Sequence, residues 1–466
     1  MAMQDLTLDL ARVQAAQWDD QRGLLLVPPG TTPGLDLSAL GLHTVRESAL
    51  GALLDLQAGR STRAVTVLRN VLDLQYDVPG QPWHGTFPVT AEQADPPADA
   101  VEWFHYDPNW RQFLGTILLV VVFDHSDVLP AELVDDLWAA IVRCAAGEPA
   151  DRIPEWYTNP NLLHAWVQAQ AGSHLGDGFM QAAGVNRARR SMDRLAAAGD
   201  VDEYNSPTYD GVDLLAAALW ITFPPTPEFT DWGARLARTI CTRVSTLFDP
   251  DLGAVCGPYS RAYGIDLDRY VSLLGVWLTV AGAGHVLPTD LRPETDHVHD
   301  LFFLTLVERL AASVDLPWDL RRVDQPRRHV QTIGQVTAIS MLHPGRAVGW
   351  ADGPVPAFAT DQYVPFTVHT QHEAAAVSLA ARPGPGCGLV TVTEAGGSRF
   401  EVSVDGEFRW TCSVAPNVDD GGLTLGPIRV TWSGQSGHEI VASDGGPVDV
   451  VVRGSGTRFE VVLSSS

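Results

Sequence analysis

Two segments of this sequence combine side chains that transfer protons, and each stands directly before an apolar run. The first, 203–213, reads EYNSPTYDGVD and leads into LLAAALW. The second, 257–266, reads GPYSRAYGID and leads into LDRYVSLLGVWLTVAGAG. Together they contain more phenols, carboxylates, amides and guanidinium groups than the capping of two helices requires. We therefore expect both segments to line one cleft where two helices begin. The candidate residues are Glu203, Tyr204, Asn205, Tyr209, Asp210, Tyr259, Arg261, Tyr263 and Asp266.

A simpler interpretation of these residues is local structure. Ser206, Thr208 or Asp210 can accept backbone N–H groups at a helix start, and Pro207 suits the first helical position. A structural ion pair with a nearby aspartate similarly accounts for Arg261. Tyr263 is harder to explain in this way, because the glycines and proline around it leave an aromatic ring little to pack against locally.

A third polar segment, 155–164, reads EWYTNPNLLH and contains Asn159, Asn161 and His164. Helix capping is the alternative for Asn159, and a buried structural role is the alternative for His164. Aromatic residues in the predicted loops favour sugar binding, because flat rings stack on the apolar faces of pyranoses. Packing within the helical domain is the alternative for each of them. This group comprises Trp83, His84, Trp103, His105, Trp156 and Tyr157.

Carboxylates at the same helix starts offer a second chemistry. Inverting glycosidases use an acid and a base carboxylate roughly 6.5–9.5 Å apart. Such a site suits a neutral sugar, because the formal net charge of −25 slows the approach of a polyanion. The acids that supply such pairs are Glu203, Asp210, Asp213, Asp266 and Asp268.

The sequence does not contain a known spacing of residues that bind a metal ion or a cofactor. The five cysteines form no CxxC pair, and the fourteen histidines form no HExxH arrangement. His297 and His299 are two positions apart, which on a helix directs them to different faces. Phosphate-binding, dinucleotide-binding and serine-nucleophile motifs are absent as well. The sequence therefore predicts no metal ion and no cofactor.

The composition limits the class of protein. A chain of 466 residues that is 45% hydrophobic buries a large core in two or more domains. The acidic balance argues against nucleic acid as a partner. The apolar run 113–123 is about half as long as a membrane span, so we expect no membrane partner. The first residues do not resemble a secretory leader, which predicts a cytoplasmic protein, or a secreted one if a leader was removed.

The hydrophobic pattern changes character near residue 330. Before that point, apolar residues recur at three- and four-residue spacings, which predicts helical hairpins. After it, short runs alternate with a period of two, which predicts an antiparallel sheet of eight or more strands. Asp405-Gly406 is typical of a tight hairpin between two of these strands. The predicted helices are 44–58, 62–76, 110–125, 130–146, 160–174, 178–198, 209–222, 230–247, 266–282 and 296–313.

A domain of helical hairpins followed by an antiparallel sandwich resembles the helical-toroid polysaccharide lyases that act on chondroitin, hyaluronate, heparin and alginate. The resemblance covers nearly the whole chain. This chain, like those lyases, has Asn, His, Tyr and Arg at helix starts. It implies an (α/α) toroid over 1–325 as the catalytic domain and an antiparallel β-sandwich over 326–466. It also implies a uronate-containing glycan as substrate, cleaved by β-elimination.

β-Elimination needs a group that neutralises the C6 carboxylate, a base for the C5 proton and an acid for the departing oxygen. The resemblance implies Asn159 or Asn161 for the first role and His164 or Tyr263 for the second. It implies Tyr263, or Tyr209 as second choice, for the third.

Arg261 would hold the phenol and the substrate, with Asn205 beside them. The lyases commonly have a histidine close to the tyrosine in sequence, and none stands near Tyr259 or Tyr263 here. The identity of the base therefore stays open.

Two alternatives to a lyase follow from the same residues. Some glycoside hydrolases also have a helical toroid, and the acid pairs at the helix starts would serve an inverting mechanism. A dehydratase or lyase acting on a small non-carbohydrate alcohol would use the tyrosines and acids in an apolar cavity. The residues alone do not decide between elimination and hydrolysis.

Overall fold

The computed structural model describes residues 3–28, 41–284, 286–355, 362–373, 375–384, 387, 389–396, 398–433, 437–442, 447–453 and 457–464. The chain forms two compact units that alternate along the sequence. The helical unit comprises Met1–Ala197, Val212–Ala237 and Asp290–Asp315. The sheet unit comprises Ala198–Gly211, Arg238–Thr289 and Leu316–Ser466. Residues 203–211 and the whole of 257–266 therefore belong to the sheet unit. The domain boundary near residue 325 stays a prediction.

The first two thirds of the chain are mainly helical because apolar residues recur at helical spacing. In α3, for example, Ala64, Val67, Leu68 and Val71 are the buried residues, which is the stripe expected of an amphipathic helix. The helices are α1 (Met3–Gln17), α2 (Arg46–Gln57), α3 (Ser61–Leu72), α4 (Trp110–His125), α5 (Ala131–Ala146), α6 (Thr158–Leu175), α7 (Gly178–Ala198), α8 (Asp210–Thr222), α9 (Pro227–Leu247), α10 (Leu273–Val280) and α11 (Leu304–Ser313), with 3-10 helices at Ser126–Val128 and Val298–Phe303.

Helical hairpins build the helical unit. The consecutive helices α2 and α3 pack against each other, as do α4 and α5, and α6 packs against both α4 and α5. Helix α4 is apolar on nearly every side and is buried along most of its length, which explains its long apolar run. No helix among the described residues is long and apolar enough to cross a membrane.

The helix predictions differ most from the structure at three places, and the ends of the other helices lie within four residues of the predicted ones. Helix α1 was not predicted. The predicted helix 266–282 begins only at Leu273, because Ser272 is its N-cap and accepts a hydrogen bond of 2.9 Å from the N–H of Gly275. The predicted helix 296–313 is divided into a 3-10 helix and α11.

The strands lie mostly after residue 326. They are β1 (Trp18–Asp19), β2 (Leu24–Leu26), β3 (His43–Thr44), β4 (Phe248–Asp249), β5 (Ala254–Val255), β6 (Arg327–Ile333), β7 (Val336–His343), β8 (Arg346–Pro354), β9 (Phe366–His372), β10 (Ala375–Pro383), β11 (Leu389–Glu394), β12 (Arg399–Val404), β13 (Phe408–Cys412), β14 (Asn417–Asp419), β15 (Gly422–Leu425), β16 (Ile428–Ser433), β17 (Gly437–Ala442), β18 (Val448–Arg453) and β19 (Thr457–Leu463).

Two antiparallel layers form a sandwich in the sheet unit. One layer has the order β6-β7-β8-β9-β10-β13-β18-β17, and the other has the order β14-β15-β16-β19-β12-β11. A short pairing of β8 with β11 joins them. Their inner faces share one core, in which the Phe400 ring contacts Trp350 and Phe366, and Trp410 contacts Phe459. The predicted fold class, helical hairpins followed by an antiparallel sandwich, is confirmed.

The tight hairpin predicted at Asp405-Gly406 is wrong. Strand β12 pairs with β11 and β19, whereas β13 pairs with β10 and β18. The turn therefore carries the chain from one layer of the sandwich to the other. Gly406 has a φ of +118°, a conformation that favours glycine. Glycine is therefore favoured at this turn between layers for the same reason as in a hairpin.

Candidate active site

The two polar segments meet at a pair of tyrosines in the sheet unit. The phenol oxygens of Tyr209 and Tyr263 lie 3.0 Å apart, within hydrogen-bonding distance. Arg261 Nη2 donates to the phenol of Tyr209 over 3.0 Å, and the guanidinium carbon lies 4.1 Å from the centroid of that ring. Tyr263 is 44% exposed, and Tyr209 is partly buried. An exposed phenol is thus linked to a second phenol that a positive charge contacts.

Arg261 is held in place by two further side chains. Its Nη1 donates to Glu203 Oε1 at 2.5 Å, and its Nε donates to Gln362 Oε1 at 3.1 Å. The Glu203 carboxylate has no exposed surface. With Tyr209 as the third partner, the guanidinium is fixed in orientation, which is how a positioning residue in an active site is usually built.

The backbone that carries Tyr263 is anchored from two directions. Its N–H donates to Thr208 Oγ1 over 3.0 Å. Arg382, on β10, donates to the carbonyl oxygens of Ala262 at 2.8 Å and of Tyr263 at 2.9 Å. The chain at Ala262 also bonds to Gln362 through its backbone N–H. These hydrogen bonds therefore hold the backbone that carries the exposed phenol.

The Asn205 side chain connects the two segments through hydrogen bonds to the backbone. Its amide nitrogen donates to the carbonyl oxygens of Cys256 at 2.8 Å and Pro258 at 2.9 Å. Its φ of +52° is a conformation that asparagine tolerates better than most residues. The neighbouring Ser206 hydroxyl donates to the carbonyl of Arg261 at 2.6 Å. Asn205, a candidate catalytic residue, is buried and acts on the backbone in this structure.

Asp210 belongs to a buried ion cluster. Arg243 Nη2 donates to Asp210 Oδ1 at 2.5 Å, and Arg243 also pairs with Asp200. Burial raises the pKa of Asp210 to about 6, although Arg243 opposes the shift. The Arg243 guanidinium lies 5.2 Å from the ring of Tyr204, and burial raises the pKa of that phenol well above its usual value. Asp210 and Tyr204 thus stabilise the start of α8 from inside the fold.

Asp266 lies beside a buried network that begins at Tyr259. The phenol of Tyr259 bonds to His369 Nε2 at 2.9 Å, and His369 Nδ1 bonds to Ser378 Oγ at 2.8 Å. An oxygen of Asp266 lies 3.9 Å from His369 Nδ1. Burial raises the pKa of Asp266 to about 6 and lowers that of His369 to about 4. This network ties the second segment to strands β9 and β10.

The candidates of the third segment lie in the helical unit. Asn159 and Asn161 are buried in the first turn of α6. Asn161 donates to the carbonyl oxygens of Pro154 at 2.6 Å and Tyr157 at 3.0 Å, and its own oxygen accepts from Arg187 at 2.6 Å. Asn161 and Arg187 also line a cavity of about 350 Å³. The hydrogen bonds of Asn161 are those of a residue that holds the α6 start.

His164 is buried inside α6. Gln112 Nε2 lies 3.3 Å from its Nδ1. Burial first, and then the charges of Arg187, Arg152 and Arg111, lower the pKa of His164 well below its usual value. The ring is therefore neutral, but it lies inside the helical packing.

The aromatic residues predicted to stack on sugar rings differ in exposure. Trp103 is 59% exposed and has a φ of +65°, in the loop before α4. Trp83 is buried, and its ring centroid lies 6.0 Å from that of Tyr106. Of this group, Trp103 has the most open ring, and the stacking role stays a prediction. The partly buried members are His84, His105, Trp156 and Tyr157.

Three residues of the site were missed because they lie after residue 330. Gln362 and Arg382 hold the segment of Arg261 and Tyr263, and His369 anchors Tyr259. A signal was present for two of them. Arg382 and His369 are polar residues at buried positions of β10 and β9, where apolar residues are usual.

The interpretation that His297 and His299 point apart is wrong. Their ring centroids lie 5.1 Å apart. His297 adopts the left-handed conformation, with φ 54° and ψ 26°, directly before the 3-10 helix. It therefore does not follow the helical spacing on which that interpretation relied.

The protein consists of a unit of helical hairpins and a unit with a sandwich, and the second unit contains the Tyr–Tyr–Arg cluster. A family model described as a domain of unknown function, DUF8769, matches residues 9–312, and the chain belongs to this family. No curated protein matches the chain.

Two solved structures of endoglucanase CelQ from Clostridium thermocellum, in complex with cellotriose alone or with cellobiose and cellotriose, are similar to this chain at 10% sequence identity. Both matches cover 91% of this chain. The structure with cellobiose and cellotriose is covered to 84% with a TM-score of 0.23, and the structure with cellotriose is covered to 85% with a TM-score of 0.22. A likeness this weak carries no information on activity.

Proposed function

We propose that this protein is a lyase that cleaves a uronate-containing oligosaccharide or polysaccharide by β-elimination. The observation that carries the proposal is the exposed phenol of Tyr263, 3.0 Å from the phenol of Tyr209, which itself accepts a hydrogen bond from Arg261. Two linked phenols of unequal surroundings supply the two proton-transfer groups that elimination needs.

The guanidinium decides which phenol acts as base. A positive charge beside a phenol stabilises its phenolate, so Tyr209 is the group that takes the C5 proton. The electron pair of the C5–H bond forms the C4–C5 double bond, and the C4–O bond breaks. Tyr263 donates its proton to the departing oxygen. A proton then passes from Tyr209 to Tyr263 across their hydrogen bond, which restores both groups.

Local charge supports an anionic substrate despite the net charge of −25. Arg261 and Arg382 both act on the segment that carries Tyr263, and the Arg382 guanidinium bonds to backbone carbonyl oxygens. Both guanidinium groups are buried, and Arg261 is paired with Glu203, so their charge acts on a uronate at Tyr263 through the local electrostatic potential and not by direct contact. Asn159 and Asn161, the predicted contacts for the carboxylate, belong to the helical unit, and the hydrogen bonds of Asn161 favour a structural role.

Hydrolysis of a neutral glycan is the second candidate. It is supported by Asp210 and Asp266, whose pKa values of about 6 suit a general acid. Two observations argue against hydrolysis. Asp210 is buried and bonded to Arg243, and Glu203 is buried and bonded to Arg261. The exposed phenol of Tyr263, linked to the partly buried phenol of Tyr209, and the burial of the carboxylates together favour elimination.

The proposal is tested by incubating the protein with uronate-containing and neutral glycans. Ultraviolet absorbance of the unsaturated uronate and the release of reducing ends are followed together. Elimination produces both signals, and the Tyr263→Phe variant should lose both. The matched control is Tyr76→Phe, a buried tyrosine of the helical unit. Reducing ends without the ultraviolet signal would mean hydrolysis, and neither signal with any glycan would favour a non-carbohydrate substrate.

A further inference from the structure

Two histidines and an aspartate converge at the start of the 3-10 helix in the helical unit. His297, His299 and Asp300 each offer one ligand atom, and these atoms lie within 4.8 Å of one another. We propose that these three side chains bind a divalent transition-metal ion, with zinc as the best fit. The site is separate in sequence from the tyrosines of the proposed function.

The donor set suits zinc and its neighbours. Two imidazole nitrogens and a carboxylate oxygen are a common set for zinc with a water as fourth ligand, and calcium and magnesium prefer oxygen alone. At bond lengths of about 2.1 Å, two ligands of a tetrahedral ion lie about 3.4 Å apart. His299 Nε2 and Asp300 Oδ1 already lie 3.5 Å apart. The third ligand atom, from His297, lies within 4.8 Å of these two.

The surroundings leave the site accessible. The side chains of His297, His299 and Asp300 are 23%, 21% and 17% exposed, so an ion can reach them from solvent. The positive charge of Arg46, which acts on His299 and Asp300, is offset by its ion pair with Glu47 at 2.6 Å.

The backbone accounts for the convergence. His297 has a positive φ of 54°, which is a strained conformation for a residue other than glycine. Its ring centroid lies 5.1 Å from that of His299. Asp296 Oδ1 lies 3.8 Å from His297 Nε2, which is beyond hydrogen-bonding distance.

Titration calorimetry of the full-length, chelator-treated protein with zinc chloride tests the proposal. We expect one zinc per chain. Losing even an orienting partner of a ligand weakens metal affinity about 10- to 100-fold, so His299→Gln, His297→Asn and Asp300→Asn should each weaken it by about 100-fold or more. Asparagine tolerates the backbone conformation of residue 297, so that variant should fold. The matched control, His372→Gln on an exposed strand end, should bind as the wild type does.

Cobalt provides a second measurement that does not depend on enzyme activity. The cobalt-loaded protein should show the intense visible absorption of a four-coordinate site, and His297→Asn should abolish it. Circular dichroism confirms folding, and a variant that fails to fold is replaced by either of the other two. The proposal is overturned if the wild type binds no zinc, or if the three variants bind it as tightly as the wild type.

Discussion

The phenol oxygen of Tyr263 lies 3.0 Å from that of Tyr209, and a glutamate-paired arginine contacts the second phenol. The two tyrosines come from segments on either side of helices α8 and α9. Their meeting links a solvent-exposed proton donor to a phenol beside a positive charge. Four predictions follow from the contacts of this cluster and of the acids around it.

Removing the phenolic hydroxyl of Tyr263 should slow turnover strongly without affecting the fold. Tyr263→Phe keeps the ring but loses the proton, so kcat should fall by about 10²- to 10⁴-fold with little change in KM. The measurement is the initial rate on the best glycan substrate, with Tyr76→Phe as the control. Activity close to that of the wild type would end the assignment of Tyr263 as the acid.

The orientation of Arg261 should matter as much as its charge. Arg261→Lys keeps the positive charge, but one ammonium cannot hold Glu203, Gln362 and Tyr209 in the same geometry. We expect kcat to fall by about 10²-fold, the effect of misplacing a catalytic group by about 1 Å. Arg322→Lys, which alters an exposed pair with Asp251, serves as the control. Full activity in Arg261→Lys would mean that charge alone suffices.

Asp210→Asn should separate the two mechanisms. If elimination is correct, the variant stays active but is less stable, because Arg243 loses one of its two acid partners. The loss should stay below about 3 kcal/mol, since Asp200 still pairs with Arg243. Urea denaturation and initial rates are measured on the same preparation. Loss of turnover in a folded Asp210→Asn, together with an active Tyr263→Phe, would favour hydrolysis.

Asp266 should make stability depend on pH. Its pKa rises from 3.8 to about 6 in the folded protein, so the folded state holds the proton more tightly than the unfolded state. The wild type should therefore lose free energy of unfolding, relative to Asp266→Asn, as the pH rises from about 4 to about 6. The full difference is at most about 3 kcal/mol.

Urea denaturation of both proteins at several pH values measures this difference. His369 contributes with the opposite sign in the same pH range, because its pKa is lowered to about 4. Both proteins contain His369, so the comparison removes most of its contribution. A difference that is constant with pH would show that Asp266 titrates normally.

The order of helices and strands was predictable because it depends on local periodicity. Helices α4 and α7 begin and end where the apolar pattern predicted, and the change to alternation near residue 330 marks the start of β6. The start of α10 was not predictable in this way. A polar turn over 266–271 contains enough apolar residues to imitate a helix, and the N-cap at Ser272 decides the boundary.

The residue types of the candidate site were also evident in the sequence, since phenols, acids and an arginine cluster in two short segments. Their assignment to roles was not, because burial separates residues that look alike. Tyr263 is exposed whereas Tyr204 and Tyr259 are buried, and Asn205 uses its amide on backbone carbonyls. Exposure depends on which elements pack above a residue, and local sequence does not contain that information.

The sequence by itself determined the types of secondary structure and the chemistry present in each segment, because both arise from neighbouring residues. Only the tertiary structure decided which groups meet. Arg261 is oriented by Gln362, 101 positions away, and Tyr263 rests on Arg382, 119 positions away. Such contacts depend on how strands pack against loops. The geometry of this packing arises from many weak interactions over the whole unit, which no local sequence pattern contains.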